Sequence, residues 1–391
     1  MRRGPLTSRP SGHVWAIDVV RLLTFAAVIC VHCIAYTDDP ANPGANAMMV
    51  LLQFGREVFF SITGFVLMWS AIGRAVVARP FWRKRITFVA VPYLTWTLLY
   101  YLVDLDITPH LSWSWSTLGL WTLEGAAFYH LYFLLVSMQL YLVFPVLVRL
   151  VRATAPHAWR WLGGVTAVNL CWLAVLEYVP IPHGTASWFW IHGFELLPTY
   201  ATYVLAGCYA ALYQPQLDAL LTRNPRRVVA LAGACAAGAM VVYSLQLRWM
   251  DPRSAGSVLQ PAQTLACAAA VLVVGLVGTR WANGPRRGQR WVALGSDISF
   301  GVYLVHPLVL TVLLNNGLGT NDQRLPQPVC TVLAFVGVVT GSTLLAWVLR
   351  QSPVSLALVG RARLRGRLAA MAAVVRPATA WATGADRRAL R

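Results

Sequence analysis

Long apolar runs, separated by short polar and basic stretches, organise this chain from end to end. A helix needs about 20 mostly apolar residues to cross about 30 Å of hydrocarbon. Windows of that kind lie approximately at 14–36, 47–72, 84–104, 127–149, 158–179, 190–213, 228–247, 262–280, 298–316 and 330–350. The pattern predicts an all-α polytopic membrane protein of about ten transmembrane helices. It divides the chain into an amino-terminal segment 1–13, a ten-span membrane domain 14–350 and a basic tail 351–391.

Charge orients those spans. With the amino terminus cytoplasmic, the inner connections hold Arg74, Arg79, Arg83, Lys84 and Arg85, then Arg149, Arg152 and Arg160, then Arg223, Arg226 and Arg227, then Arg280, Arg286, Arg287 and Arg290. Counting both ends, 27 of the 32 basic residues fall inside, and only Arg248, Arg253 and Arg324 fall outside. Positive residues concentrate on the cytoplasmic side of membrane proteins, so N- and C-termini are both expected in the cytoplasm. Arg21 and Arg56 complete the 32, and both lie within spans.

Composition narrows the class. Hydrophobic residues make up 58% of the chain and charged residues 12%, about half the share of soluble domains. The net charge of +18 is scattered over connections rather than gathered on one face, so the chain is read as binding no nucleic acid. This composition demands the lipid bilayer as a partner, and the chain is expected as a multi-pass protein of the plasma membrane. Asp18 and Arg21 interrupt the first apolar run, which is read as a retained helix rather than a cleaved signal. Of the seven cysteines, Cys171, Cys208, Cys235 and Cys267 sit in apolar segments without a partner at metal spacing.

The stretch AVICVHCIAY, 26–35, sets His32 between Cys30 and Cys33. A helix turns about 100° per residue, so Cys30 and His32 diverge by about 200° and His32 and Cys33 by about 100°. Three such side chains cannot converge on one tetrahedral ion, and no metal is expected. The same arithmetic puts Arg21 about 20° and Asp18 about 40° from the direction of His32. Asp18, Arg21, Phe25, Val28 and His32 form one stripe, and ionisable groups within a membrane normally face a bundle interior or a wet cavity.

The second span carries FGREVFFSITGF, with Arg56 and Glu57 adjacent. Adjacent helical residues point about 100° apart, so the two are not read as partners. Glu57 lies at a depth neighbouring His32 and is expected to orient it or to stabilise its charged form. The ninth span places His306 at helical spacing from Tyr303.

In these residues the sequence resembles the acyltransferase-3 family of integral membrane O-acyltransferases, over nearly all ten spans. The first-helix arginine and histidine separated by ten residues are Arg21 and His32, with Asp18 three before the arginine. REVFFSITGF is similar to the family's acid-x-F-F-x-x-S-G-F segment, with Glu57 for the usual aspartate and Thr63 for the serine. RKRITFVAVPYLTW resembles its basic turn into the third span. Two later blocks bring His130, Tyr141 and Pro145, then Tyr303, His306 and Pro307. The chain departs from the family at Phe88, where a second arginine often follows Arg85, and at Ser352, where an acid often precedes the last proline.

The resemblance implies transfer of an acyl group, commonly acetyl, from cytoplasmic acyl-CoA to a hydroxyl of a sugar, glycan, glycolipid or secreted metabolite. Acyl-CoA is the donor substrate, and no resident cofactor is expected. Arg21 and His32 are separated by roughly 16 Å along the helix, comparable to an extended pantetheine arm. On this reading Asp18, Arg21 and Arg85 bind the donor, and His32 and Glu57 are catalytic. Arg56, His130, Tyr303 and His306 complete the pocket. His32 acts as general base or forms a covalent acyl-histidine; both routes fit the residues. A proton-coupled transporter using Asp18, Glu57 and His32 is the alternative, although the chain lacks the inverted repeats that mark many transporters. The topology is tested directly by reporter fusions after Arg223 and after Arg290. Both should report the cytoplasm, and an external signal from either would overturn the alternation.

Overall fold

The computed structural model describes residues 4–8, 13–108, 111–184, 187–318 and 325–363. Among them every regular element is helical. In chain order these are α1 (Trp15–Thr37), α2 (Pro43–Leu52), α3 (Gly55–Ala71), α4 (Ala78–Ile107), α5 (Trp115–Glu124), α6 (Tyr132–Thr154), α7 (Ala158–Tyr178) and α8 (Ser187–Ile191). There follow α9 (Ala201–Leu212), α10 (Gln214–Arg223), α11 (Pro225–Gln246), α12 (Pro252–Ala255), α13 (Gln263–Asn283), α14 (Gln289–Leu313), α15 (Gln327–Leu349) and α16 (Ser355–Val359).

Eight stretches among the described residues are long and apolar enough to cross a membrane. One of them, Tyr132–Tyr178, is itself two helices, because a 3-10 turn at Ala155–His157 separates α6 from α7. The protein is therefore an all-helical, multi-pass membrane protein.

Two of the expected spans are broken. The second divides at Gln53 and Phe54 into α2 and α3, where the start of α3 presses against α1. A Cβ on Gly55 would lie 2.2 Å from a methyl of Val28. The segment expected as the sixth span opens with 3-10 turns at Gly193–Glu195 and Leu197–Tyr200, and only then becomes the 12-residue α9. Gly193 and Pro198 account for the break: one lowers helix propensity and the other removes a backbone donor. The apolar count alone does not register either effect.

α1 is the central post. It packs against α3, α13, α14 and α15, while α4 pairs with α6 and α11 with α13. Arg21 contacts Ser296 and His32 stacks on His306, so α1 and α14 run side by side in the same direction. Large apolar side chains such as Leu142 and Val146 on α6, and Leu333, Val336 and Leu344 on α15, are exposed on the outside of the bundle. Helices inside a membrane satisfy their own backbone and can present such a surface to lipid.

The closest crossing is α3 against α9. A Cβ added to Gly207 would lie 1.9 Å from the carbonyl oxygen of Ser61, and one added to Gly64 would lie 2.4 Å from that of Val204. Small residues let helix backbones approach where no hydrophobic effect drives association. Because the obstructing atoms are backbone, Gly207→Ala must push the helices apart. It should cost at least about 1–3 kcal/mol, the usual range for overpacking. Thermal unfolding of the purified protein in detergent would show this as a lowered midpoint, and an unchanged midpoint would contradict the crossing.

Candidate functional site

α1 carries its polar residues at two levels, and each level meets a different part of α14. At the first, Arg21 Nη1 donates to Ser296 Oγ at 2.7 Å, and that hydroxyl donates to Asp18 Oδ1 at 2.6 Å. Arg21 also lies 3.7 Å from Asp18, one helical turn away. His13, just before α1, pairs with the other oxygen of Asp18. The next residue of α14, Asp297, receives Arg350 at 3.3 Å and also Arg361. Asp18 and Arg21 thus meet as the sequence arithmetic anticipates. Arg85 stands apart: it lies on α4, within electrostatic range of Tyr141 on α6. Among the described residues it makes no hydrogen bond or ion pair.

At the second level His32 faces a chamber of about 160 Å³, shared with Arg56, Tyr129, His130, Tyr132 and Tyr303. The His32 ring lies 4.6 Å from that of Tyr129 and 5.4 Å from that of His306, centroid to centroid. His130 completes a group of three imidazoles, 5.6 Å from His306. His306 is fixed by its Nδ1–H, which donates to the Tyr303 carbonyl at 2.7 Å. The Tyr303 hydroxyl in turn holds the main-chain carbonyl of His130. Among the described residues His306 Nε2, both ring nitrogens of His130 and the Tyr129 hydroxyl are buried without a hydrogen-bond partner.

Tyr129 and His130 arrive on the loop that follows α5. Gly125 caps that helix at φ +72°, a left-handed conformation that glycine adopts without steric cost. The turn sends residues 126–131 back into the bundle before α6 begins.

Arg56 and Glu57 correct the sequence reading. Arg56 Nη2 donates to Glu57 Oε1 at 3.0 Å, so the adjacent pair are partners after all. The Cα–Cβ directions do diverge, but an arginine side chain is long enough to fold back. Inside the bundle an unpaired charge costs more than the bent rotamer. Glu57 is thereby committed to Arg56, and it does not line the chamber with His32. Arg56 also donates to the Tyr132 hydroxyl at 3.2 Å and lies 5.8 Å over the ring of Tyr200. Its Nε has no partner among the described residues.

A larger vestibule of about 780 Å³ adjoins the chamber, and His32, Arg56, Tyr129 and Tyr132 line both. Asp38, Asp39, Asn46, Glu195 and Arg253 supply its polar wall. Toward Arg21 the chamber ends at Val28 and Phe59, whose ring lies 4.4 Å from that of Phe25 at a tilt of 57°. Chemically, the arrangement offers an imidazole base and a guanidinium on the walls of one mostly apolar space. Cys33 is buried and Cys30 half-buried. No group of three or more His, Cys, Asp or Glu side chains able to hold a metal occurs among the described residues.

Sequence reasoning did not single out Ser296, Asp297, Tyr129 or Arg361. Ser296 and Asp297 lie within the LGSDIS stretch that opens the ninth-span block, so a signal was present there. Tyr129 and Arg361 carried none beyond their residue type.

The sequence model of one family, described as an acyltransferase domain of type 3, matches residues 14–350. No curated protein and no solved structure matches the chain.

The ion pair at Arg56 generates a stability test. Arg56→Gln leaves a buried carboxylate unpaired and should destabilise the protein by about 3–5 kcal/mol. Replacing both residues, Arg56→Gln with Glu57→Gln, should recover most of that loss. Thermal unfolding of the single and double variants would reveal it, and additive losses would mean that the pair is not coupled.

Proposed function

The chain belongs to the acyltransferase-3 family, and from that premise we propose that it moves an acyl group, acetyl foremost, from cytoplasmic acyl-CoA to an acceptor hydroxyl. The acceptor is a sugar, glycan, glycolipid or secreted metabolite. The protein sits in the plasma membrane with ten crossings and both termini in the cytoplasm. Residues 14–350 form its membrane acyltransferase domain, and 351–391 its basic cytoplasmic tail.

One observation carries this reading: His32 and Arg56 line a single chamber beside a larger vestibule, while Arg21 lies near the other end of the same helix, held by Ser296. Arg21 holds donor phosphate by charge-assisted hydrogen bonds, with Asp18 and Ser296 fixing its guanidinium. Arg85 contributes positive charge at the cytoplasmic start of α4. The pantetheine arm covers the roughly 16 Å between Arg21 and His32. For it to do so, the Phe25–Phe59 contact must part.

The acceptor enters from the vestibule, whose volume falls in the range of small-molecule sites. His32 takes the proton of the acceptor hydroxyl as its oxygen attacks the thioester carbonyl. The carbonyl oxygen gathers negative charge in the tetrahedral intermediate, and the Arg56 guanidinium stabilises it. Collapse expels the CoA thiolate, which receives the proton from His32. Glu57 serves by holding Arg56. His130, Tyr303 and His306 form the wall behind the His32 ring.

Two variants separate these roles. Arg21→Ala should weaken binding of a non-hydrolysable acyl-CoA analogue, as expected for loss of a charge-assisted phosphate contact. His32→Ala should leave that binding nearly intact while turnover falls by roughly 10²–10⁴-fold. Analogue binding and acyl transfer would be measured side by side on purified protein. If His32→Ala abolishes donor binding but not turnover at saturating donor, the histidine is a ligand contact. If neither variant changes either quantity, the stripe on α1 is structural.

A further inference from the structure

Beyond the family-matched residues 14–350, the chain turns back onto the bundle. α16 lies against α4 and α14 and ends at Gly360, whose φ is +64°. A Cβ there would lie 2.4 Å from the Phe300 ring on α14 and 3.1 Å from the Phe88 carbonyl on α4. Only glycine lets the backbone pass between those two helices in this conformation.

The next residue is Arg361. Ser355 Oγ donates to its carbonyl at 2.7 Å, which ties its main chain to the start of α16. Its guanidinium folds back to Asp297 on α14. Arg21 is held by the preceding residue, Ser296. Two arginines from distant parts of the sequence are therefore anchored at consecutive positions of one helix, close enough for their charges to interact.

Asp297 also takes Arg350, so one carboxylate is divided between two guanidiniums. Arg350 is almost wholly covered, whereas the side chains of Arg361 and Arg21 are 42% and 24% exposed. Among the described residues Asp297 is the one side chain to which Arg361 donates. A like-charged pair held this way, with N–H groups still open, is suited to an anion carrying more than one phosphate oxygen.

We propose that Arg361 is a second phosphate-binding residue for the acyl-CoA donor, acting beside Arg21. This rests on the donor reading given above.

The test uses the full-length protein and three probes: CoA, 3′-dephospho-CoA and phosphate-free S-acetylpantetheine. Equilibrium binding is measured for wild type, Arg361→Gln and Arg361→Lys. Arg361→Gln should lose about 10- to 100-fold in affinity for CoA, as expected for one charged hydrogen-bonding contact. It should lose little for S-acetylpantetheine, so the gap between the two probes narrows. Arg361→Lys should keep most of the gap, and 3′-dephospho-CoA assigns the contact to the 3′-phosphate or to the pyrophosphate. An unchanged gap in Arg361→Gln, or equal weakening of all three probes, would overturn the inference and leave Arg361 a structural ion-pair partner. Wild-type protein that binds no CoA would instead overturn the donor reading, and this inference with it.

Discussion

A charged group inside hydrocarbon must find its partner within the protein, and the arrangement of this molecule follows from that constraint. Asp18, Arg21, Arg56 and Glu57 all lie on helices that cross or border the membrane interior. Each is answered by a side chain of the bundle: Arg21 by Ser296 and Asp18, and Arg56 by Glu57 and Tyr132. Ser296 comes from α14, which packs on α1, and Tyr132 from the start of α6, which borders α3.

The pairing of α1 with α14 extends this to the whole site. The two helices run parallel and meet at both polar levels, through Ser296 near Arg21 and through His306 near His32. Between those levels lie Phe25, Phe59, Phe133 and Tyr303, each within ring-contact distance of others in the group. The aromatic layer separates a charged end from a chamber end.

Close backbone crossings keep the levels in register. Gly64 and Gly207 let α3 and α9 touch, and Gly55 lets α3 lean on α1. α3 bears Arg56, so its position against α1 decides how near that guanidinium comes to His32. Gly125 and Gly360 act at the ends of helices, turning loop residues inward where the chamber and the charged end are completed. Substitution at these glycines would disturb the site without altering any of its polar side chains.

The sequence by itself determined the membrane class, the placement of most spans and the stripe of Asp18, Arg21 and His32 on one face of α1. Apolar length, basic asymmetry and helical period are local properties, so they can be read along the chain. It also marked Arg56, His130, Tyr303 and His306 as companions, and the folded chain brings these four around His32. What only the tertiary structure decided was who pairs with whom. Glu57 was expected beside His32, but the reach of the Arg56 side chain captures it. The sixth apolar window was expected to be one helix, but Gly193 and Pro198 leave it in pieces. Arg361 joins Arg21 only because α16 folds back onto α14. Rotamer reach, backbone breaks and long-range return are set by packing between distant segments, and no local period records them.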